Sequence, residues 1–183
     1  MVELVARTPM HGLRPVGTGD VQLREAAAGP MTALLPYSGT EGALSETLKV
    51  AHGLSWPGTG WMTGTPDRGV LWFGRQQALL IGVRPDAALG EHAALVDQTD
   101  AWAVVDMAGA GCGDVLARLT PIDLRDGVFE TGHTARTQLG HMAASVTRTG
   151  RQAYRLMVFR SMARTLLHEL TLALEGVAAR RGR

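Results

Sequence analysis

The pattern of apolar and polar positions is clearest near the end of the chain. Residues 142–147 alternate between apolar and polar side chains, which predicts a strand with one buried face. Residues 154–159 are apolar on both faces apart from Arg155, as in a central strand. A turn at Gly150 separates the two, and Ser161 is placed to be the N-cap of a following helix. The apolar stripe of that helix comprises Leu166, Leu170, Leu174 and Val177.

Similar signals occur earlier in the chain. The predicted elements are a short strand from Val21, an apolar run at 31–35, a helix at 41–52 ended by Gly53, strands at 70–73 and 78–83, a weak helix at 85–94, and a strand at 102–107. A further helix is predicted from an apolar stripe formed by Cys112, Val115, Leu116 and Leu119. Residues 54–69 are rich in Gly, Pro and Thr and are interpreted as a loop.

The order strand-helix-strand-strand-helix therefore appears twice, at 31–94 and at 102–177. This order predicts an α+β fold of two duplicated split β-α-β, ferredoxin-like units, with helices on one face of each antiparallel sheet. We divide the chain into an irregular N-terminal arm (1–20), a first α+β unit (21–98), a second unit (99–179) and a basic tail (180–183).

Composition narrows the classes of function. The formal net charge of the 183 residues is +1, which is not the electrostatic footprint of a protein that binds nucleic acid or an anionic membrane. The single cysteine, Cys112, permits neither a disulfide framework within the chain nor a site of several thiolates. No apolar run approaches the ~20 residues of a membrane span, and the N-terminus does not resemble a signal peptide, so we expect a cytoplasmic protein.

The segment from Gly109 to Asp114 is similar to a dinucleotide-binding loop, but it lacks the third glycine. Asp114 stands in that place, where a carboxylate would oppose a pyrophosphate and instead suits a helix N-terminus. Because no parallel βαβ unit surrounds the segment, we do not favour a nucleotide site here.

The residues that usually carry chemistry are dispersed. Cys112 falls on an apolar helical stripe, and Asp100, Asp106 and Asp114 have no evident partner carboxylate. Six histidines give no spacing that predicts three convergent metal ligands: His11, His52, His92, His133, His141 and His168. We therefore assign no catalytic, cofactor-binding or metal-binding residue to this chain.

Two groups of residues are candidates for binding. Arg136, Arg148 and Arg160 would form an anion site if the strand ends that carry them converge, but ion pairs at a subunit interface are the favoured interpretation. Trp56 and Trp61 lie in the predicted loop, where they either pack within the chain or serve as anchors in the pocket of a partner.

Four blocks of sequence together resemble one known family, the gamma subunit of heterotetrameric sarcosine oxidase. They are LVDQTDAWAV (95–104), TPIDL (120–124), ARTQLGH (135–141) and YRLMVFRS (154–161), and WFG (72–74) followed by ALL (78–80) is similar to an earlier sheet segment of the family. The resemblance covers about half of the chain.

This resemblance implies membership of a four-subunit flavoenzyme that oxidises sarcosine to glycine, passing the one-carbon unit to tetrahydrofolate or releasing formaldehyde, and producing hydrogen peroxide. It implies that the alpha and beta subunits carry FAD, FMN and NAD, and that the delta subunit carries zinc. The gamma subunit is similar in fold to the folate-binding domain of aminomethyltransferases, and the resemblance implies no cofactor on it.

We therefore expect a non-catalytic assembly subunit whose partners are the alpha, beta and delta subunits, with alpha contacted most directly. One alternative is the equivalent subunit of a related dehydrogenase of N-methyl amino acids, such as N-methylglutamate. Another is a stand-alone folate-binding module, for which Asp106 and Asp123 are the only candidate carboxylates.

Overall fold

The computed structural model describes residues 5–13 and 20–181, and within them ten strands and three α-helices. The strands are β1 (Gln22–Glu25), β2 (Met31–Pro36), β3 (Met62–Thr65), β4 (Arg68–Gly74), β5 (Gln77–Ile81), β6 (Ala93–Asp97), β7 (Trp102–Ala108), β8 (Thr134–Leu139), β9 (Met142–Gly150) and β10 (Ala153–Phe159). The helices are α1 (Glu41–His52), α2 (Cys112–Leu116) and α3 (Ala163–Arg181), and short 3-10 turns lie at Ala87–Glu91 and Arg160–Met162.

The strands form two antiparallel sheets with the same internal arrangement. The first sheet has the order β3-β4-β5-β2-β6, and the second has the order β8-β9-β10-β7-β1. Each sheet thus contains a strand, a crossing through a helix, three strands joined as a meander, and a fifth strand at the far edge. The prediction of an α+β fold made of duplicated split β-α-β units is confirmed.

The fifth strand of the second sheet comes from the beginning of the chain. β1 pairs with β7 in the register Leu23–Met107, at the position that β6 occupies beside β2 in the first sheet. The boundaries drawn from the sequence place residues 21–25 with the first unit, whereas this strand lies in the sheet of the second. It does so because Leu23 is buried in the core beneath α2 and α3.

The sheets pack face to face, and the helices cover their outer faces. A central core joins Leu71, Phe73 and Leu79 of the first sheet to Trp102 and Met157 of the second. Outside the first sheet, α1 and the 3-10 turn at 87–91 bury their apolar residues; outside the second, α2 and α3 do the same. The result is a four-layer arrangement of helix, sheet, sheet and helix. We call the facing surfaces of the two sheets their inner faces.

Several local predictions are confirmed, and others are wrong. Helix α1 has the predicted bounds and ends at Gly53, whose positive φ of 69° gives a left-handed cap. The helix predicted from Cys112 through Leu119 is only five residues long. Ser161 lies inside a 3-10 turn and not at the N-cap of α3, which begins at Ala163. The N-terminal arm and the basic tail lie partly outside the described residues.

Three strands are missing from the prediction, and each has a local reason. β3 carries Gly64, where a Cβ would lie 2.5 Å from the carbonyl oxygen of Arg68. β8 directs Arg136 towards the other sheet, so its sequence TARTQL lacks apolar alternation. β6 follows the 3-10 turn, whose N-cap Asp86 accepts a hydrogen bond from Ala88 N at 2.9 Å.

Candidate functional site

The inner face of the second sheet carries more buried polar side chains than an ordinary sheet core. Thr134, Ser145 and Thr147 are buried there, with 2.8 Å between the Thr134 and Thr147 hydroxyls and 3.5 Å between those of Thr134 and Ser145. Because each hydroxyl both donates and accepts, the three are able to satisfy one another. This cluster stabilises the pairing of β8 with β9. Two arginines, Arg136 and Arg155, lie on the same face.

Arg155 is one of these arginines, and its charge is fully engaged. Its Nε and Nη2 donate to the two carboxylate oxygens of Asp106 on β7, at 2.7 and 3.0 Å. Nη2 also lies 2.8 Å from Asp67, and Nη1 donates to the carbonyl oxygen of Pro66, both in the β3–β4 turn of the first sheet. Arg155 is thus a polar link between the sheets, and the carboxylates keep its guanidinium charged although burial opposes this.

Arg136 lies on the same face, and no carboxylate of the described residues pairs with it. Its guanidinium carbon is 4.2 Å from the centre of the Phe73 ring and 5.2 Å from that of Trp102, so two aromatic rings are its neighbours. Burial lowers the pKa of Arg136 from its ordinary value. Nη1 of Arg136 and Nε1 of Trp102 are both buried, and neither has a hydrogen-bond acceptor in the part of the chain that the structure describes. Two donors without acceptors therefore lie in one aromatic cluster.

Beside this cluster, the described residues leave part of the inner face of the second sheet exposed. Gln138 pairs with Ala143, and Phe159 pairs with Trp102, so continuing the β9–β10 register places all four in one row. Gln138 and Ala143 are exposed, and Phe159 is 48% exposed although its ring stacks on Trp102 at 4.8 Å. We call Arg136, Gln138, Ala143 and Phe159 the open patch.

The three arginines proposed as one cluster do not converge. Arg148 is buried on β9 and holds the loop before β8, donating to Asp126, to the carbonyl oxygen of Phe129 at 2.5 Å and to that of Arg151 at 2.6 Å. Arg160 is near Asp100 at 3.4 Å and donates to the carbonyl oxygen of Arg7 in the N-terminal arm. Both arginines serve contacts within the chain. Of the three, Arg136 alone has no acidic partner among residues 5–13 and 20–181.

The two tryptophans of the predicted loop differ in their surroundings. Trp56 packs partly buried against the core beneath α1, where it contributes to the fold. Trp61 is 42% exposed and contacts His133 edge-to-face, with ring centres 3.9 Å apart. Around this contact the backbones of the two sheets join, because Met62 N donates to Gly132 O and Thr134 N donates to Gly60 O, both at 2.8 Å. We call this junction the seam.

The glycine-rich segment at 109–113 is a structural turn. Gly109 has a φ of +132°, and a Cβ there would overlap the carbonyl oxygen of Asp20. Cys112 is buried in the core, and this burial raises the pKa of its thiol to about 11, so the reactive thiolate is disfavoured. Neither observation supports a bound nucleotide or a nucleophilic cysteine.

Possible ligands for a metal or a pterin are engaged elsewhere or dispersed. Within the described ranges 5–13 and 20–181, no three His, Cys, Asp or Glu side chains are grouped closely enough to hold a metal ion. Asp106 is bound to Arg155, and Arg24 donates to it at 3.1 Å. Asp123 is exposed and bound to Arg125, which lowers the pKa of this carboxyl to about 2. Both aspartates are thus ion-paired within the chain.

A cavity of about 330 Å³ lies beneath the described part of the N-terminal arm, between the arm and the sheets, and Trp102, Asp100 and Arg160 are among its lining residues. The arm is held there because Glu25 accepts hydrogen bonds from the hydroxyl of Thr8 at 2.8 Å and from the backbone N–H of Met10 at 2.9 Å. Residues 5–13 thus lie across this chain's own second sheet.

As to membranes, the helices in the described part of the chain are all too short or too polar to cross a bilayer.

Sequence reasoning missed the aromatic cluster and the role of Arg155. Phe73, Trp102 and Phe159 are far apart in the chain, and only the pairing of strands and the packing of sheets unites them. The sequence does indicate that Arg155 is unusual, because it is the one charged residue in an apolar strand. A charge at such a position predicts a buried partner, although the sequence does not identify Asp106 as that partner.

Comparison with known proteins gives a strong match to a solved structure. The sequence matches no protein-family model and no curated protein. A chain of the heterotetrameric sarcosine oxidase from Corynebacterium sp. U-96, solved in complex with pyrrole 2-carboxylate, matches with a TM-score of 0.80 and 25% identity over 94% of this chain and 96% of that chain.

Two other solved structures share much less. They are the regulatory subunits of aspartate kinase from Thermus thermophilus and Thermus flavus, with TM-scores of 0.38 and 0.35 and identities of 16% and 14%; each match covers 85% of this chain and 97% of the other. TM-scores this low do not show a shared fold. The match to the oxidase confirms the resemblance to a subunit of heterotetrameric sarcosine oxidase that four blocks of sequence predicted.

Proposed function

We propose that this chain is the gamma subunit of a heterotetrameric sarcosine oxidase and that its role is assembly. The observation that carries the proposal is the match over nearly the whole length of both chains, because it leaves little of either chain unaccounted for. Agreement of the blocks at 95–104, 120–124, 135–141 and 154–161 with the gamma subunit supports the choice of subunit.

The chemistry of the described residues supports a role without catalysis. Arg148, Arg155 and Asp106 are engaged in contacts within the chain, and Cys112 is a buried thiol with a raised pKa. Under this proposal FAD, FMN, NAD and zinc belong to the alpha, beta and delta subunits, tetrahydrofolate acts elsewhere in the complex, and the complex is cytoplasmic. The chain stabilises its larger neighbours, with alpha as the most direct contact.

Purification through a tag on this chain from its native cells tests the proposal. We expect a native mass that corresponds to four different subunits, flavin absorbance in the complex, and oxidation of sarcosine with production of hydrogen peroxide. A chain that is isolated as a monomer, with no partner bound, would contradict the assembly role.

The same preparation identifies the substrate. A complex that oxidises N-methylglutamate in preference to sarcosine, without producing hydrogen peroxide, would assign the chain to a related dehydrogenase. Titration of the isolated chain with tetrahydrofolate tests the stand-alone folate module. Because Asp106 and Asp123 are already ion-paired, we expect no binding at micromolar concentrations.

A further inference from the structure

We propose that the open patch docks a polypeptide segment of a larger subunit, and that this segment presents a carboxylate to Arg136 and an apolar side chain to Phe159. The inference rests on the proposed function, because it names the surface through which the assembly subunit holds a partner. It assigns the binding chemistry to Arg136 in particular, and not to the other arginines of the chain.

The first argument is the charge of Arg136. The other arginines on the buried part of the second sheet, Arg148 and Arg155, have carboxylate partners in Asp126, Asp67 and Asp106. Arg136 is partly buried, its pKa is lowered by that burial, and its Nη1 has no acceptor among residues 5–13 and 20–181. A partly desolvated charge that no described carboxylate neutralises costs stability. A carboxylate is the complementary group.

The second argument is that both unsatisfied groups are donors. Trp102 is only 4% exposed, and its Nε1 has no acceptor within the described residues. The rings of Phe73 and Trp102 that flank Arg136 offer only their π faces. Both nitrogens are themselves buried, so a docking partner would bond the remaining N–H groups of Arg136, which is only partly buried. An acidic partner would compensate the charge of Arg136, whereas a basic partner would add an uncompensated charge.

The third argument is the apolar surface next to the charge. Phe159 is 48% exposed, Ala143 beside it is exposed, and Met162, in the following 3-10 turn, is 41% exposed. A small anion at Arg136 would leave these apolar groups in water. A polypeptide segment covers them while its acidic side chain reaches the guanidinium, and aromatic and arginine residues are typical anchors of such interfaces.

Substitution of Arg136 tests the charge. Arg136→Met keeps an unbranched side chain and removes the charge, and Arg164→Met on the exposed side of α3 is the matched control with the same change of charge. We expect Arg136→Met to weaken the affinity of the purified chain for the remaining subunits of its complex at least about tenfold, and Arg164→Met to leave it unchanged. The thermal midpoint of the isolated Arg136→Met chain should stay the same or rise.

Cross-linking identifies the occupant. A photoreactive phenylalanine analogue at Gln138 should attach, in the assembled complex, to a peptide of a larger subunit that contains Asp or Glu. The same analogue at Leu172, exposed on α3, serves as the control. Replacing the acidic residue of that peptide by its amide should weaken assembly with the wild-type chain and cause no further loss with Arg136→Met.

The outcomes separate the two proposals. If no complex is isolated, the proposed function fails. If the complex forms but Arg136→Met binds normally, or Gln138 cross-links only to a second copy of this chain or to nothing, the docking inference is wrong while the proposed function stands. A thermal midpoint that falls together with affinity would make Arg136 a structural residue and would also overturn the inference.

Discussion

Arg136 and Arg155 lie on one face of one sheet, yet their neighbours give them different roles. Arg155 reaches Asp106 on its own sheet and Asp67 on the other, whereas the described neighbours of Arg136 include two aromatic rings and no acid. The sequence places Arg155 in a strand-like segment, but it does not specify which carboxylates lie opposite. The buried ion pair follows from the antiparallel register that sets Arg155 against Asp106.

Removing the carboxylate of Asp106 should destabilise the chain. Asp106→Asn keeps the shape of the side chain but takes away the bidentate acceptor of a guanidinium that is 3% exposed. We expect the free energy of unfolding, measured by urea denaturation at neutral pH, to fall by about 2 kcal/mol. Asp67→Asn is the control: because the side chain of Asp67 is 79% exposed, its loss should cost less than about 1 kcal/mol. Equal effects would contradict this ranking.

Cys112 should make stability depend on pH in the alkaline range. The thiol ionises near 9.0 as a model compound, and in the folded chain burial raises its pKa to about 11. Between these values the unfolded state releases the proton and the folded state keeps it. The free energy of unfolding should therefore fall as the pH rises from 9 to 11, by about 2 kcal/mol in total.

Comparison with Cys112→Ala isolates this effect. Tyr154, whose pKa is also raised chiefly by burial, contributes in the same direction in both proteins. The difference in unfolding free energy between wild type and variant should therefore narrow across this range. A constant difference from pH 7 to pH 11, measured by urea denaturation, would show that the thiol is not protected as the structure indicates.

At the scale of elements, success of the predictions followed the strength of the local signal. Helix α1 has both an apolar stripe and a glycine stop, and its bounds were predicted correctly. β8 was missed because its inner face carries Thr134 and Arg136, whose burial depends on partners from other strands. β6 was missed because the 3-10 turn that precedes it was interpreted as part of a weak helix at 85–94. Polar contacts over long distances in the chain replace the apolar alternation that strand prediction requires.

Two glycines at close backbone contacts should be intolerant of a side chain. Gly82 has a φ of +83°, and its Cβ would overlap the carbonyl oxygen of Asp67; Gly109, with a φ of +132°, would overlap that of Asp20. We expect Gly82→Ala and Gly109→Ala each to lower the free energy of unfolding by at least about 3 kcal/mol, measured by chemical denaturation.

Gly113→Ala is the matched control for these two variants. Gly113 lies in α2, and a Cβ there has no atom within 4 Å. Since alanine is the better helix former, stability should be unchanged or slightly higher. A large loss at Gly113, or tolerance at Gly82 and Gly109, would contradict this account of the backbone contacts.

At the scale of the whole molecule, the repeat of element order could be predicted, but the placement of β1 in the second sheet could not. Both units use the same order of local elements, so the sequence indicated a duplicated split β-α-β fold. Nothing local to residues 22–25 indicates that they pair with β7 and not with β2, because Leu23 requires only an apolar neighbour. The open patch could not be predicted for a similar reason, since it depends on the pairing of strands that are distant in the chain.

The placement of β1 in the second sheet and the shared core predict that the two units fold together. A fragment of residues 99–183 lacks β1 and leaves Trp102, Val104 and Met157 without the first sheet that buries them. We expect neither this fragment nor residues 1–98 to show a cooperative thermal transition alone, and we expect their mixture to recover one. The intact chain should show a single calorimetric transition whose calorimetric and van't Hoff enthalpies agree. Cooperative melting of the 99–183 fragment by itself would show instead that the second sheet is an independent domain, with β1 and the seam as dispensable contacts between two separate folding units.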